Sequence, residues 1–252
     1  MMKRHDLFFL FVVLVLLSAG CDGAASPPEA ASSDAAARLA EAAYMVDIDP
    51  AKFVATIDNP YFPRRPGTRY VYEGRTAEGL ERIEIEVLAE TREIMGVAAT
   101  TVRDTVYIDG LLVEDTFDWF AQDEAGNVWY FGEAVDNYEN GALADHDGSW
   151  EAGVDGALPG IVMYADPAAH VDQPYRQEYY PGEAEDMAIV LSATEQVTVP
   201  FGSFEDVVHT EDWTPLEPGL REHKFYAPGV GVVKEVNLET GALIVLLENT
   251  AP

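Results

Sequence analysis

The chain has 252 residues, 48% of them hydrophobic, with 45 Asp and Glu against 15 Lys and Arg and a formal net charge of −30. That acidity excludes nucleic acid as a partner, because binding phosphates needs clustered Lys and Arg, and it excludes electrostatic adhesion to anionic lipid. A single cysteine excludes both a disulfide framework and a cysteine-based zinc site within one chain.

Residues 1–20 read as a cleavable signal peptide. Lys3 and Arg4 give a positive start, the apolar run Leu7 to Leu17 follows, and the small residues Ser18, Ala19 and Gly20 lead into Cys21. The run is shorter than the about 20 apolar residues a spanning helix needs. Leu17-Ser18-Ala19-Gly20-Cys21 resembles the lipobox of bacterial lipoproteins, with its Leu one place further upstream than in the commonest pattern. The resemblance implies a diacylglyceryl group on Cys21 and a mature protein held by lipid on the extracytoplasmic side of a bacterial membrane. Residues 21–34, rich in Ala, Ser and Pro, then form a flexible tether. Asp34 caps a short peripheral helix within 35–50, and 51–252 is one β-rich domain, large enough for a real core.

Within that domain Ile83, Ile85 and Val87 alternate with Glu84 and Glu86, the two-residue period of a half-buried strand. Thr101 to Ile108 and Leu111 to Phe120 are predicted strands joined by the two-residue turn Asp109-Gly110. Asp123 to Asn127 is turn chemistry leading into Val128 to Phe131. Between Ala134 and Pro174 the alternation stops, and the segment reads as a loop, either a flap over one mouth of the sheet or a packed excursion. Further strands are predicted at 175–180, 187–193, 195–199, 204–213, 221–226, 231–236 and 243–248. Ile83, Ile85, Val87, Val106, Val208, Phe225 and Val232 are expected in the core. The fold class is all-β and mainly antiparallel, a single strongly curved sheet forming a half-barrel or barrel.

Three stretches carry a family resemblance: Asn59 to Pro63 with Pro66 to Tyr72, Val199 to Phe204, and Tyr226 to Lys234. Together they resemble uncharacterised exported bacterial lipoproteins with a curved antiparallel sheet, similar to the lipoprotein-carrier (LolA/LppX-like) half-barrels. The same residues also suit structural work. Gly67, Gly202, Gly229 and Gly231 fit turns or bulges, with prolines fixing φ beside them.

No nucleophile elbow, zinc-protease motif, phosphate loop or dinucleotide fingerprint is present. Asp145-His146-Asp147-Gly148-Ser149 lacks the spaced oxygens and terminal Glu of a calcium loop. The strongest polar constellation lies on the hairpin 204–226. If Thr214 to Gly219 closes it symmetrically, Asp212 faces Arg221, Glu211 faces Glu222 and His209 faces Lys224, which makes His209, Glu211, Glu222 and Lys224 candidate catalytic groups. A solvated, charge-compensated face explains the same residues. Glu178, Glu183, Glu185 and Asp186 form a second acidic cluster, a candidate site for a divalent cation or an ordinary acidic surface.

Three function classes follow. One is a tethered module binding a lipid or other apolar or amphipathic ligand on the concave face, lined by Trp119, Tyr130, Trp213 and Tyr226. Another is an envelope hydrolase or metal-dependent enzyme using the Glu211, Glu222 and His209 region. The third is a structural adaptor with no small-molecule site. The acidity itself serves solubility, or attraction of cations or a basic partner.

Overall fold

A computed structural model describes residues 44–251. The predicted signal peptide, Cys21, the tether and residues 35–43 of the expected helix lie outside the described residues. Residues 44–49 carry no helix, and Pro50–Lys52 form one 3-10 turn capped by the Asp49 carboxylate. Among the described residues no helix is long and apolar enough to cross a membrane.

The rest is antiparallel sheet. The N-terminal part holds β1 (Phe53–Val54), β2 (Arg69–Arg75), β3 (Leu80–Ile94), β4 (Val97–Ile108), β5 (Leu111–Asp123), β6 (Val128–Glu139), β7 (Ala142–Asp145), β8 (Trp150–Glu151) and β9 (Leu158–Met163). After a 3-10 turn at Pro167–His170 come β10 (Pro174–Arg176), β11 (Glu178–Tyr179), β12 (Met187–Val199), β13 (Gly202–Trp213), β14 (Arg221–Ala227), β15 (Gly231–Asn237) and β16 (Leu243–Thr250). Two meanders, β2 to β6 plus β9 and β12 to β16, join side by side where β16 pairs with β2. The sheet path starts at β10 and ends at β11, which are separated only by Gln177. The segment Pro174–Tyr179 therefore pairs with β12 through its first half and with β9 through its second, and bends the sheet into a nearly closed barrel.

Local chemistry explains these elements. Ile83, Ile85 and Val87 are each at most 1% exposed, and alternate with partly or fully exposed Glu84 and Glu86. Asp109 and Gly110 both adopt positive φ, 49° and 82°, as a two-residue hairpin turn matched to strand twist requires. All seven expected core residues are buried.

The stretch 134–174 is not a flap. β6 continues to Glu139, β7 and β8 pair with it, and β9 is a wall strand with Val162 and Met163 buried. Gly160, inside β9, sits at the seam because nothing larger fits. A Cβ there would lie 2.4 Å from the Gln177 carbonyl carbon.

What fills one mouth is residues 57–67. The Gln122 side-chain oxygen accepts from the amides of Asp58 and Asn59, the Asn59 amide donates to the carbonyls of Gly126 and Tyr164, and the Gly229 amide donates to the Pro60 carbonyl at 2.7 Å. Phe62 packs edge-on to Phe120 at 5.1 Å, and the Arg64 guanidinium lies 3.8 Å over the Phe62 ring. Of the three motif stretches, 59–72 and 226–234 thus meet in this plug, while Phe204 and Pro228 border one groove beside it.

Candidate functional site

Strand alternation sorts the charged side chains into an outer and an inner set. On the hairpin of β13 and β14 the true register is one residue from the symmetric expectation: Asp212 pairs with Glu222, Glu211 with His223, Thr210 with Lys224, His209 with Phe225 and Trp213 with Arg221. The seven residues between Trp213 and Arg221 allow either closure, and packing decides. The slip carries Asp212, Glu222, Lys224 and Tyr226 inside and leaves His209, Glu211 and Trp213 outside, so the four candidate catalytic residues are divided by the sheet.

The outer set is an ordinary wall. Arg221 and His223 both hold Glu211, whose carboxyl is kept below its usual range by the His223 bond first and by Arg221. His209 stacks on Phe225 at 4.3 Å and meets His223 edge-on at 4.4 Å, and burial followed by His223 pushes its imidazole down to about 4. Trp213 is covered by Leu220, Met187 and Ile189. Trp119 lies on the face opposite Asp118 and Phe120, under the Arg92 guanidinium at 4.4 Å. Of the four expected lining aromatics, only Tyr130 and Tyr226 face inward.

The inner set is polar and crowded with acid. Lys224 Nζ lies 3.2 Å from Asp212 Oδ2, and Gln177 donates to the same oxygen at 3.3 Å. Across the next pair Lys224 stands opposite Glu235, and Glu222 opposite Asn237. Glu81 of β3 completes this group, and both oxygens of Glu81 and of Glu235 lack a hydrogen-bond partner. Burial, then Glu222, pushes Glu81 up to about 8; burial also raises Glu222 and lifts Glu235 well above the carboxylate range. Burial works to discharge Lys224, but Asp212 and Glu235 outweigh it and hold the ammonium well above its usual range.

A second group occupies the other half. Asp118 stands directly opposite Glu133 and accepts from the Tyr130 hydroxyl at 2.9 Å. Burial pushes Asp118 up to about 7, against the Tyr130 bond, and also raises Asp104, Glu133 and Glu178 well above the usual carboxylate range. Glu114 of β5 and Asp186 beside Glu178 belong to the same group. In all, ten buried carboxyls share the described barrel with three buried cations, Arg64, Arg176 and Lys224.

The four acidic residues expected to hold a cation are dispersed. Glu178 and Asp186 are buried, Glu183 is exposed, and Glu185 pairs with Arg176 at 3.7 Å. Among the described residues no three His, Cys, Asp or Glu converge as a metal would need. Between plug and wall an interior cavity of about 20 Å³ is bordered by Phe62, Arg64, Gln177, Lys224, Tyr226 and Glu235. That is room for about one water molecule. A larger concavity of about 700 Å³ lies on the surface at the β12–β13 hairpin, between Val197, Phe204 and Pro228.

Of the inner acids, sequence reasoning singled out Glu178, Asp186, Asp212 and Glu222 but missed Glu81, Asp104, Glu114, Asp118, Glu133 and Glu235. Their signal was present: Glu81 shares the parity of Ile83 and Ile85, and Asp104 that of Val106, so each sits on an apolar face.

No family model and no curated protein matches the chain. Among solved structures it is similar to a "putative lipoprotein" from Parabacteroides distasonis, at 16% identity and a TM-score of 0.41, covering 76% of this chain and 99% of the other. It is also similar to a "putative exported protein with YmcC-like fold" from Bacteroides fragilis, at 16% identity and a TM-score of 0.40 over the same shares.

Proposed function

We propose that the chain is an exported lipoprotein, anchored through Cys21 on the extracytoplasmic side of a bacterial membrane, whose barrel acts as an adaptor that meets its partner on the outer surface. The anchoring rests on the signal-peptide layout and the lipobox resemblance at Leu17 to Cys21. The observation that carries the adaptor reading is the small, polar space behind the plug. Ligand pockets run to about 300–1,000 Å³ and are mostly apolar, whereas the space behind the plug is about 20 Å³ and is bordered by Arg64, Lys224 and Glu235. An acyl chain there would displace Phe62 and lie against buried acids.

Two measurements test the reading. Cys21→Ser should move the protein from the membrane to the soluble fraction; unchanged fractionation refutes the anchor. The soluble Cys21→Ser protein should then show no saturable binding when titrated with fluorescent fatty acids and phospholipids. Saturable binding, or a lipid copurifying from the native host, would instead favour an apolar ligand inside the barrel beside Tyr130 and Tyr226.

A further inference from the structure

The described barrel encloses seven more buried carboxyls than buried cations. Ionising all of them would place several unpaired charges in a closed space, at a cost of several kcal/mol per ion. Cross-strand register makes this local. Asp212 and Glu222 stand directly opposite each other, as do Asp118 and Glu133, at a separation where two carboxylates repel.

Both groups border the closing segment. Gln177 donates to Asp212 from one side of it. On the other side Glu178 is faced by Asp186, whose amide approaches Glu178 Oε1 at 3.4 Å and whose carbonyl accepts from the Gln177 amide at 2.8 Å. Glu133 and Tyr130 of β6 face Glu178 from the wall, with Asp118 and Glu114 of β5 behind them. The balancing cations are few. Arg64 of the plug acts on Asp118 and Asp104, Arg176 is paired with Glu185, and Lys224 is engaged by Asp212, Glu222 and Glu235. The segment is held by short joints: three residue pairs tie it to β12 and two to β9, the latter fewer than the three of β15–β16 or β6–β9 and far fewer than the seven that β2 and β3 share.

We propose that the barrel is latched by protons: the buried acids Asp118, Glu133 and Glu178 stay protonated when the wall is closed, and losing those protons as pH rises opens the wall at Pro174–Tyr179. The direction follows from linkage. A carboxyl whose folded pKa lies above its unfolded value favours the closed state fully at pH below the unfolded value, near 4.5. That preference is lost as pH climbs through the folded value. Asp118 at about 7 and Glu81 at about 8 set the window, between roughly pH 4.5 and 8, and burial shifts Glu133 and Glu178 in the same direction. A protein outside the cytoplasm meets the pH of its surroundings directly, so this latch would couple the lumen to the medium.

Hydrogen exchange on the mature full chain tests the latch. Amide protection, corrected for intrinsic rates, is measured at pH 6 and pH 9 for peptides covering 174–186 and, as reference, for the β2–β3 hairpin. The seam should lose protection by at least about tenfold, the change in proton occupancy expected for each pH step above a controlling group, while the reference changes little. Glu133→Gln with Glu178→Gln, which mimics two protonated acids, should abolish most of the seam's pH dependence. If seam protection is the same at both pH values, or if seam and reference fall together, the proposal is wrong. The wild-type comparison decides even if the double variant does not fold.

Discussion

Lys224→Met is the sharpest test of the interior charge network. The side chain is 5% exposed and its partner Asp212 fully buried, with 3.2 Å between Nζ and Oδ2. Removing one member of a buried pair costs about 3–5 kcal/mol, because the partner is left as an uncompensated charge. Here the cost depends on pH. At pH 5.5 protons can neutralise the acids left around the missing ammonium, and the loss should be about 1–2 kcal/mol. As pH rises, ionising Glu222 and Glu235 becomes harder without Lys224 than with it, so the gap between variant and wild type widens, towards about 3–5 kcal/mol at pH 8.5. Urea unfolding at the two pH values gives both numbers if the transition is two-state. Adding Asp212→Asn should recover more than half of the loss, since no isolated charge remains. A loss that is equal at both pH values, or below about 1 kcal/mol at pH 8.5, would refute the account of Lys224 as the counter-charge of this group.

Two further substitutions probe different links. Glu81→Gln should leave stability unchanged near pH 4.5 and raise it at pH 8.5, because the wild-type carboxyl, pushed up to about 8, must ionise inside the barrel; the interval from 4.5 is worth at most roughly 5 kcal/mol, and we expect about 2–4 by urea midpoint. Destabilisation at high pH would overturn that sign. Gly160→Ala drives a methyl group into the backbone of Gln177 and should cost about 1–3 kcal/mol or more. The open-space turn variant Gly110→Ala should cost only about 1 kcal/mol, from its positive φ; equal losses would mean that the seam is not tightly packed.

Strands were legible because each buries one face. The turns at Asp109-Gly110 and Asp123 to Asn127 fell where their chemistry placed them. Closure was less legible. β9 carries Pro159-Gly160, which suggests a turn when isolated and becomes necessary only once the Gln177 backbone is pressed against it. The site was least legible, for two reasons. Reading carboxylates as solvent-facing holds for Glu84 and Glu86 but hides Glu81, two residues before the buried Ile83. The face of every side chain on β14 also depends on how the 214–220 connection closes, and a difference of one residue exchanges Glu222 and Lys224 for His223 and Phe225.

The pairing of β16 with β2 also constrains how the molecule is made. Arg69 lies beside Thr250 and Arg75 beside Leu243, so strands about 170 residues apart in the chain are immediate neighbours. Contacts of such long sequence separation form late and slow folding. A chain crossing a membrane from its N-terminus would deliver the β2–β9 meander first, with β2 unpaired along one side and β9 along the other until β10 to β16 arrive. For that interval it would expose two long strand edges, the form in which sheets aggregate. Dependence on a chaperone, and sensitivity to truncation before Leu243, are the biological signs to expect of that order of emergence.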